Sequence, residues 1–391
     1  MNELREVSTL LFIINLITML IVVVIIGIAP VITRKSFLFG VRIPEEEAQM
    51  MEAVRIKKNY INAMVIGGVL VLAALVIQYL YWPDLSLLAI LYLPLLVIAL
   101  QFIVFVSSWK KAVKLKAKNH WVVPRIGTVD TSSAVQREQI WSFPKVWYVL
   151  SALIIIVISI ISVIKYPSLP TQIPTHWGFD MQPDVWSDKG FWTVFMMPII
   201  ALGSVLVMML GNIANYRMKL QVSAEHPELS YAQHRIYRRM ISEAIGIMAL
   251  TLTIFMSAVQ LMVIDIDIFS TTAMVVLTVT MILACCIPFT YIYIKAGQSG
   301  CKLKPDISAT ETKMNTIKAK STAKYNRGDD KFWKLGMFYY NEEDPAMLVE
   351  DRFGMNSGFN YARTASKVVT ALLIIMTIAV YIGTTIMFFV F

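Results

Sequence analysis

Charge is what this chain has least of. Only 16% of its 391 residues are Asp, Glu, Lys or Arg, where a soluble domain carries about a quarter. Hydrophobic residues make up 57% and mean hydropathy is +0.64, so the polar surface needed to cover a soluble fold is missing. Cysteine is scarce too. Cys285, Cys286 and Cys301 offer no disulfide framework and are expected to be small apolar core residues. Histidine occurs four times, as His120, His176, His226 and His234, with no paired-histidine zinc helix, no nucleophile beside a base and no phosphate-cradling glycine loop around them. An enzyme is therefore not expected, nor a cofactor.

What is present is a set of eight uninterrupted apolar runs, at 8–29, 60–81, 85–107, 146–164, 191–212, 240–264, 270–294 and 368–391. Each is close to the roughly 20 residues that cross a bilayer's hydrocarbon core as a helix, the element that satisfies all its backbone polar groups internally. The expected fold is an all-α polytopic membrane protein with a small β-rich segment before the last helix. Trp82-Pro83-Asp84 and Asp265 to Phe269 mark two tight hairpins, with Pro83 unable to continue a helix. The first run is expected to be a retained span, because its flank sets one Arg against two Glu where a signal peptide has a positive n-region.

Lysine and arginine decide the expected orientation. Three of the 35 fall on one side of the spans and 32 on the other, and positive residues are held in the cytoplasm. Both termini are thus expected outside the cell membrane. The net charge of +9 then reflects loops retained beside anionic lipid, not a nucleic-acid partner. Lys110, Lys111, Lys114, Lys116 and Lys118 suit a helical extension of the third span that grips headgroups.

The expected organisation is an N-terminal membrane region over 1–164, an extracellular loop over 165–190, a second membrane region over 191–294, a cytoplasmic segment over 295–367 and a last helix over 368–391. Within the cytoplasmic segment, 302–324 has a linker's composition. Residues 329–363 instead crowd aromatics, among them Trp333, Tyr339 and Tyr340, around turns at Asn341 to Pro345 and Asn356-Ser357-Gly358. Three short strands are expected there. So small a sheet needs something to pack on, and Ser36 to Pro44 is one candidate for pairing, since it also sets a glycine among apolar residues ahead of acidic ones. Phe39, Gly40, Arg42, Trp333, Gly336, Tyr339, Tyr340 and Asp344 are the candidate residues for a cytoplasmic partner.

Inside the spans the polar inventory is thin: Asn15, Gln78, Gln101, Asn212 and Gln260. Amides of this kind bind neighbouring helices, and the lack of deep ionisable groups argues against a proton-coupled carrier. Pro94, Pro198 and Pro288 suit kinks in three spans. The loop over 165–190 is the most unusual stretch. Four prolines stiffen it, and it gathers His176, Asp180, Asp184, Asp188, Trp177, Phe179 and Trp186. Its aromatic residues suit interface anchors, and its acidic and aromatic surface equally suits capture of a peptide or cation. A metal is not expected, since one histidine with single carboxylates is a poor Zn²⁺ set. Pro174, His176, Trp177, Asp180, Asp184, Trp186 and Lys189 are the candidate ligand-binding residues.

The run Leu169-Pro170-x-x-Ile173-Pro174-Thr175-His176-Trp177, followed by Asp180, Asp184-x-Trp186 and Lys189-Gly190, resembles a loop domain of SdpI-type bacterial immunity and signalling membrane proteins. That pattern has P-x-H-(F/W) ahead of G-x-x-D-x-W-x-x-K, and Gln182-Pro183 stands here where Gly-Glu-Pro is commoner. Phe332 to Pro345 with Arg352-Phe353-Gly354 resembles a second small domain often found with the first. The resemblance implies a bacterial cytoplasmic membrane protein that recognises a secreted toxic peptide, protects the cell and relays the signal to a regulator inside, a winged-helix repressor in SdpI-type systems. The alternatives are a permease or exporter component, or a scaffold in a membrane assembly.

Overall fold

A computed structural model of the chain describes residues 2–28, 33–123, 127–129, 143–177, 183–217, 220–222, 227–266, 270–306, 327–352 and 357–390. Among these residues eight long helices dominate: α1 (Asn2–Ile28), α2 (Met51–Tyr81), α3 (Ser86–Lys118), α4 (Lys145–Lys165), α5 (Phe191–Arg217), α6 (Pro227–Val263), α7 (Thr271–Ala296) and α8 (Thr364–Val390). Each coincides with one of the apolar runs. Among the described residues seven helices are long and apolar enough to cross a membrane, and α1 adds a shorter apolar stretch, Asn15–Val24. Among the described residues every sheet is two-stranded, and the protein is an all-α polytopic membrane protein.

Exposure explains why water is the wrong solvent. Val65, Ile66, Val69 and Leu70 on α2 are each more than half exposed, as are Leu372 to Met376 on α8. Continuous apolar surface of this kind needs an apolar partner, and on helices of membrane length lipid supplies it. At about 1.5 Å per residue, the 33 residues of α3 reach about 50 Å, well beyond a hydrocarbon core of about 30 Å. Its last turns, carrying the lysines, therefore project past the membrane.

The chain divides into two compact units. The first comprises Met1–Asp130, Lys219–Pro227 and Ser321–Phe391, and the second Thr131–Met218 and Glu228–Lys320. In the first, α1, α2 and α3 pack around Met19, Val71, Leu75 and Val97. The α2–α3 hairpin closes through Gln78, whose Nε2 donates to Trp82 O at 2.7 Å, and Ser86, whose Oγ donates to Pro83 O at 2.6 Å. Tyr92 on α3 holds α8 by a 2.7 Å hydrogen bond to Thr385. In this unit β3 (Gly127–Val129) also pairs antiparallel with β6 (Leu220–Val222).

In the second unit the buried amides tie helices together, as the sequence predicts. Asn212 Nδ2 donates to Tyr148 Oη at 2.8 Å and Ser242 O at 3.1 Å. Gln260 Nε2 donates to Ser162 Oγ and to Val194 O, both at 2.9 Å. Trp147 Nε1 donates to Glu243 Oε2 at 2.6 Å where α4 meets α6. Pro94, Pro198 and Pro288 lie inside α3, α5 and α7.

The aromatic segment differs from its expected form. Its described residues form four strands: β7 (Trp333–Lys334) pairs with β8 (Phe338–Tyr339), and β9 (Leu348–Glu350) pairs with β10 (Ser357–Phe359). Ser357 and Gly358 are strand residues and not a turn, because they face Glu350 and Val349 in the ladder, while Asn356 lies outside the described residues. The expected strand pairing with 36–44 does not form either. Residues 37–42 make their own hairpin, β1 (Phe37–Leu38) with β2 (Val41–Arg42), and the two hairpins meet through their turns.

Candidate functional site

The 165–190 loop is a hairpin seated on the second unit. Strand β4 (Gln172–Trp177) pairs antiparallel with β5 (Pro183–Asp188), with irregular register around His176. Alternation sorts the faces. Leu169 and Ile173 are buried against Val194, Val263 and Ile264, with Trp177 packed on the same cluster. Pro174 stands opposite Trp186 and His176 opposite Val185. His176, Val185 and Trp186 are exposed, and Phe191 and Trp192 continue the exposed aromatic surface.

The candidate residues therefore separate into two roles. Lys189 is structural: its Nζ donates to Leu169 O at 2.8 Å and sits 5.4 Å from the Tyr166 ring centre, closing the base of the hairpin. Its backbone N–H donates to Thr171 O at 2.8 Å. Trp177 is partly a packing residue, whereas His176 and Trp186 point outward. Asp188 accepts a hydrogen bond from Gln172 Nε2. Asp180 lies outside the described residues, as does the side chain of Asp184. Among the described residues no three His, Cys, Asp or Glu side chains gather closely enough to hold a metal ion.

The other candidate residues form the docked module of the first unit. Phe39 is fully buried, its ring 5.0 Å from that of Tyr60 and 5.8 Å from that of Phe105. Phe39 and Gly40 have φ of +48° and +78°, and Leu335 and Gly336 have +54° and +77°. Both pairs make tight turns in left-handed backbone, where glycine is nearly strain-free. A Cβ on Gly336 would lie 2.7 Å from Trp109 Cδ1 and 2.8 Å from Phe39 O. The similarity visible between the two segments is therefore one of turns, not of pairing strands.

Behind the turns is a polar core that the sequence did not advertise. Arg327, almost wholly buried, places Nε 2.6 Å and Nη2 3.1 Å from the two oxygens of Asp344. Tyr339 Oη donates to Asp344 Oδ2 at 3.1 Å, and Trp333 Nε1 donates to Arg327 O at 2.7 Å. Burial alone would raise the Asp344 carboxyl, but the hydrogen bonds and charge of Arg327 outweigh it and hold the carboxyl below its usual range. The Tyr339 hydroxyl is pushed up by burial. Tyr340, at the surface, donates to Glu342 Oε1 at 3.1 Å, and that bond and the adjacent charge raise its pKa.

Asp330 is a second node. Its Oδ1 accepts from Arg352 Nη1 at 2.6 Å and from the backbone N–H of Arg42 at 3.3 Å, and its Oδ2 accepts from Lys116 Nζ at 2.7 Å. Lys118 is held by Glu52 at 2.8 Å. Two of the five projecting lysines are thus bound by carboxylates of their own unit. Arg352 also donates to Gly40 O and, at 2.9 Å, to Gly328 O, with its guanidinium 4.7 Å over the Trp333 ring. Burial pulls its pKa down to about 10 against the opposing charge of Asp330. Phe39, Gly40, Trp333, Gly336, Tyr339 and Asp344 are all spent on contacts within the unit.

A family model described as a domain of unknown function (DUF1648) matches residues 153–202. The match takes in the end of α4, the whole hairpin and the start of α5. No curated protein and no solved structure matches the chain.

Proposed function

We propose that the protein is a non-enzymatic membrane sensor or immunity protein of SdpI type, whose 172–188 hairpin recognises an extracellular peptide. The supporting observation is the division of labour in that hairpin. Leu169, Ile173 and Lys189 anchor it to the helices, while His176, Val185 and Trp186 are left exposed on a stretch that the family match spans from end to end. Trp is among the residues that dominate recognition hot spots, and a rigid proline-led hairpin lowers the entropy lost on binding. On this reading both termini are extracellular and the docked aromatic module lies inside, where it carries the readout.

The experiment is crosslinking in living cells, followed by identification of co-purifying secreted peptides. Wild type is compared with His176→Ala and Trp186→Ala at matched abundance. A peptide captured by wild type and lost from both variants supports the reading. If no secreted peptide is captured, or if the variants capture it equally, the outward face is only an interface anchor and the proposal fails.

A further inference from the structure

A cavity of about 860 Å³ lies in the first unit between the end of α3 and residues 328–330. That is within the range of about 300–1,000 Å³ typical of small-molecule sites. Val113, Lys116 and Ala117 share one helical face and form one wall. Val41 and Arg42 form the floor from β2, and His120 and Trp121 follow just past the end of α3. Peptide recognition by the 172–188 hairpin makes no use of any of these residues.

Two physical facts narrow the ligand. The first is height above the membrane. The apolar part of α3 ends near Ser107, and Val113 and Ala117 lie six and ten residues on, about 9 and 15 Å at the helical rise. A headgroup layer is only about 5–7 Å thick on each side, and the usual tilt of about 20° shortens those heights by only about 6%. The cavity therefore opens to water, and a lipid headgroup does not reach it.

The second is charge. Arg42, Lys116 and His120 line the cavity together with Asp329 and Asp330, so both signs are present. Asp330 is committed to Arg352, Lys116 and the Arg42 amide. Asp329 accepts from the Lys331 N–H at 3.1 Å and lies 3.5 Å from the exposed Lys331 Nζ, which leaves acceptor capacity on its two oxygens. Lys116 gives one proton of its ammonium to Asp330 and has two more to offer. A plain anion would face Asp329, and a plain cation would face Lys116. A zwitterion satisfies both, and Val41 and Val113 supply an apolar wall.

We propose that this cavity binds a small soluble zwitterion with an aliphatic side group, of the amino-acid or dipeptide class. Its carboxylate meets Lys116 and His120, and its ammonium meets Asp329.

The test uses the full-length protein in detergent, with binding followed by calorimetry and by the shift in Tm. The probes are leucyl-leucine, its N-acetyl form and its C-terminal amide. Leucyl-leucine is expected to bind saturably, and each blocked form at least tenfold more weakly. Asp329→Asn keeps a good capping side chain for the Lys331 N–H. In that variant leucyl-leucine and its N-acetyl form are expected to bind alike. The proposal is overturned if wild type shows no saturable binding of leucyl-leucine, or if it binds the N-acetyl form equally well. The wild-type comparison stands without any variant, so a misfolded substitution cannot obscure the answer. None of these readouts involves His176 or Trp186, so failure here leaves the hairpin reading untouched.

Discussion

Gly40 and Gly336 sit against one another so closely that a Cβ on Gly40 would lie 2.1 Å from the Gly336 carbonyl oxygen. Neither position tolerates a side chain, and each also has a left-handed φ. Left-handed backbone costs an L-residue about 1–2 kcal/mol, and overpacking adds about 1–3 kcal/mol. Gly40→Ala and Gly336→Ala are each expected to destabilise docking of the module by about 2–5 kcal/mol. Faster proteolysis within 327–361 in detergent would report it. Gly358→Ala is the control, since its Cβ meets nothing closer than 3.7 Å, and it is expected to leave the cleavage rate unchanged.

The two tryptophans of the hairpin are expected to behave differently. Trp177 packs beside Ile173 and Val263, whereas Trp186 is half exposed. Trp177→Ala removes core contacts and is expected to cost about 2 kcal/mol or more. Trp186→Ala is expected to change stability by no more than about 0.5 kcal/mol while abolishing peptide capture. Thermal unfolding and capture measured on the same preparations separate the roles, and equal loss of stability in both variants would contradict the assignment.

Acid should loosen the module. The Asp344 carboxyl is held below its unfolded value by Arg327, so its contribution is fully present above the unfolded pKa near 4 and is lost as pH falls through the lower folded value. Trp333 reports the change, because its indole N–H bonds the Arg327 carbonyl. Its fluorescence is expected to shift below about pH 4. In Asp344→Asn that acid step should vanish, with the module already weakened at neutral pH by about 3–5 kcal/mol, the cost of leaving a buried partner uncompensated.

Much of this architecture is legible in the residues themselves. Apolar runs of membrane length place all eight helices, because about 20 apolar residues suit a helix, which satisfies its backbone polar groups internally. The amides at Asn212 and Gln260 also behave as inter-helix bonds for a general reason: in hydrocarbon they have few other partners. The module was harder to read. Its buried ion pair joins Arg327 to Asp344 across 17 residues, and Asp330 meets Lys116 across 214. No periodicity marks contacts of that range, and charged residues in a polar segment look like surface. The paired turns left a trace, an apolar residue before a glycine in both segments. That trace suggests strands unless the left-handed φ is known. The cavity left none, since its walls come from three separate stretches of chain.

Arg352 ties the 37–42 hairpin to residues 328–330, and its planar fork explains why lysine cannot replace it. Nη1 reaches both Gly40 O and Asp330 Oδ1, Nη2 reaches Gly328 O, and the plane lies 4.7 Å over Trp333. A lysine ammonium is a point donor that cannot span these acceptors or stack on the indole. Arg352→Lys is therefore expected to cost about 2–4 kcal/mol despite keeping the charge, since buried acceptors lose their donors. The decisive measurement is the double variant with Gly40→Ala. If Arg352 holds the 39–40 turn, the two substitutions break the same contact, and their summed cost should exceed that of the double variant by about 0.5–3 kcal/mol. Strict additivity in the unfolding data would mean that the turn is held by Gly336 and Trp109 alone, leaving Arg352 to serve only Asp330 and Gly328.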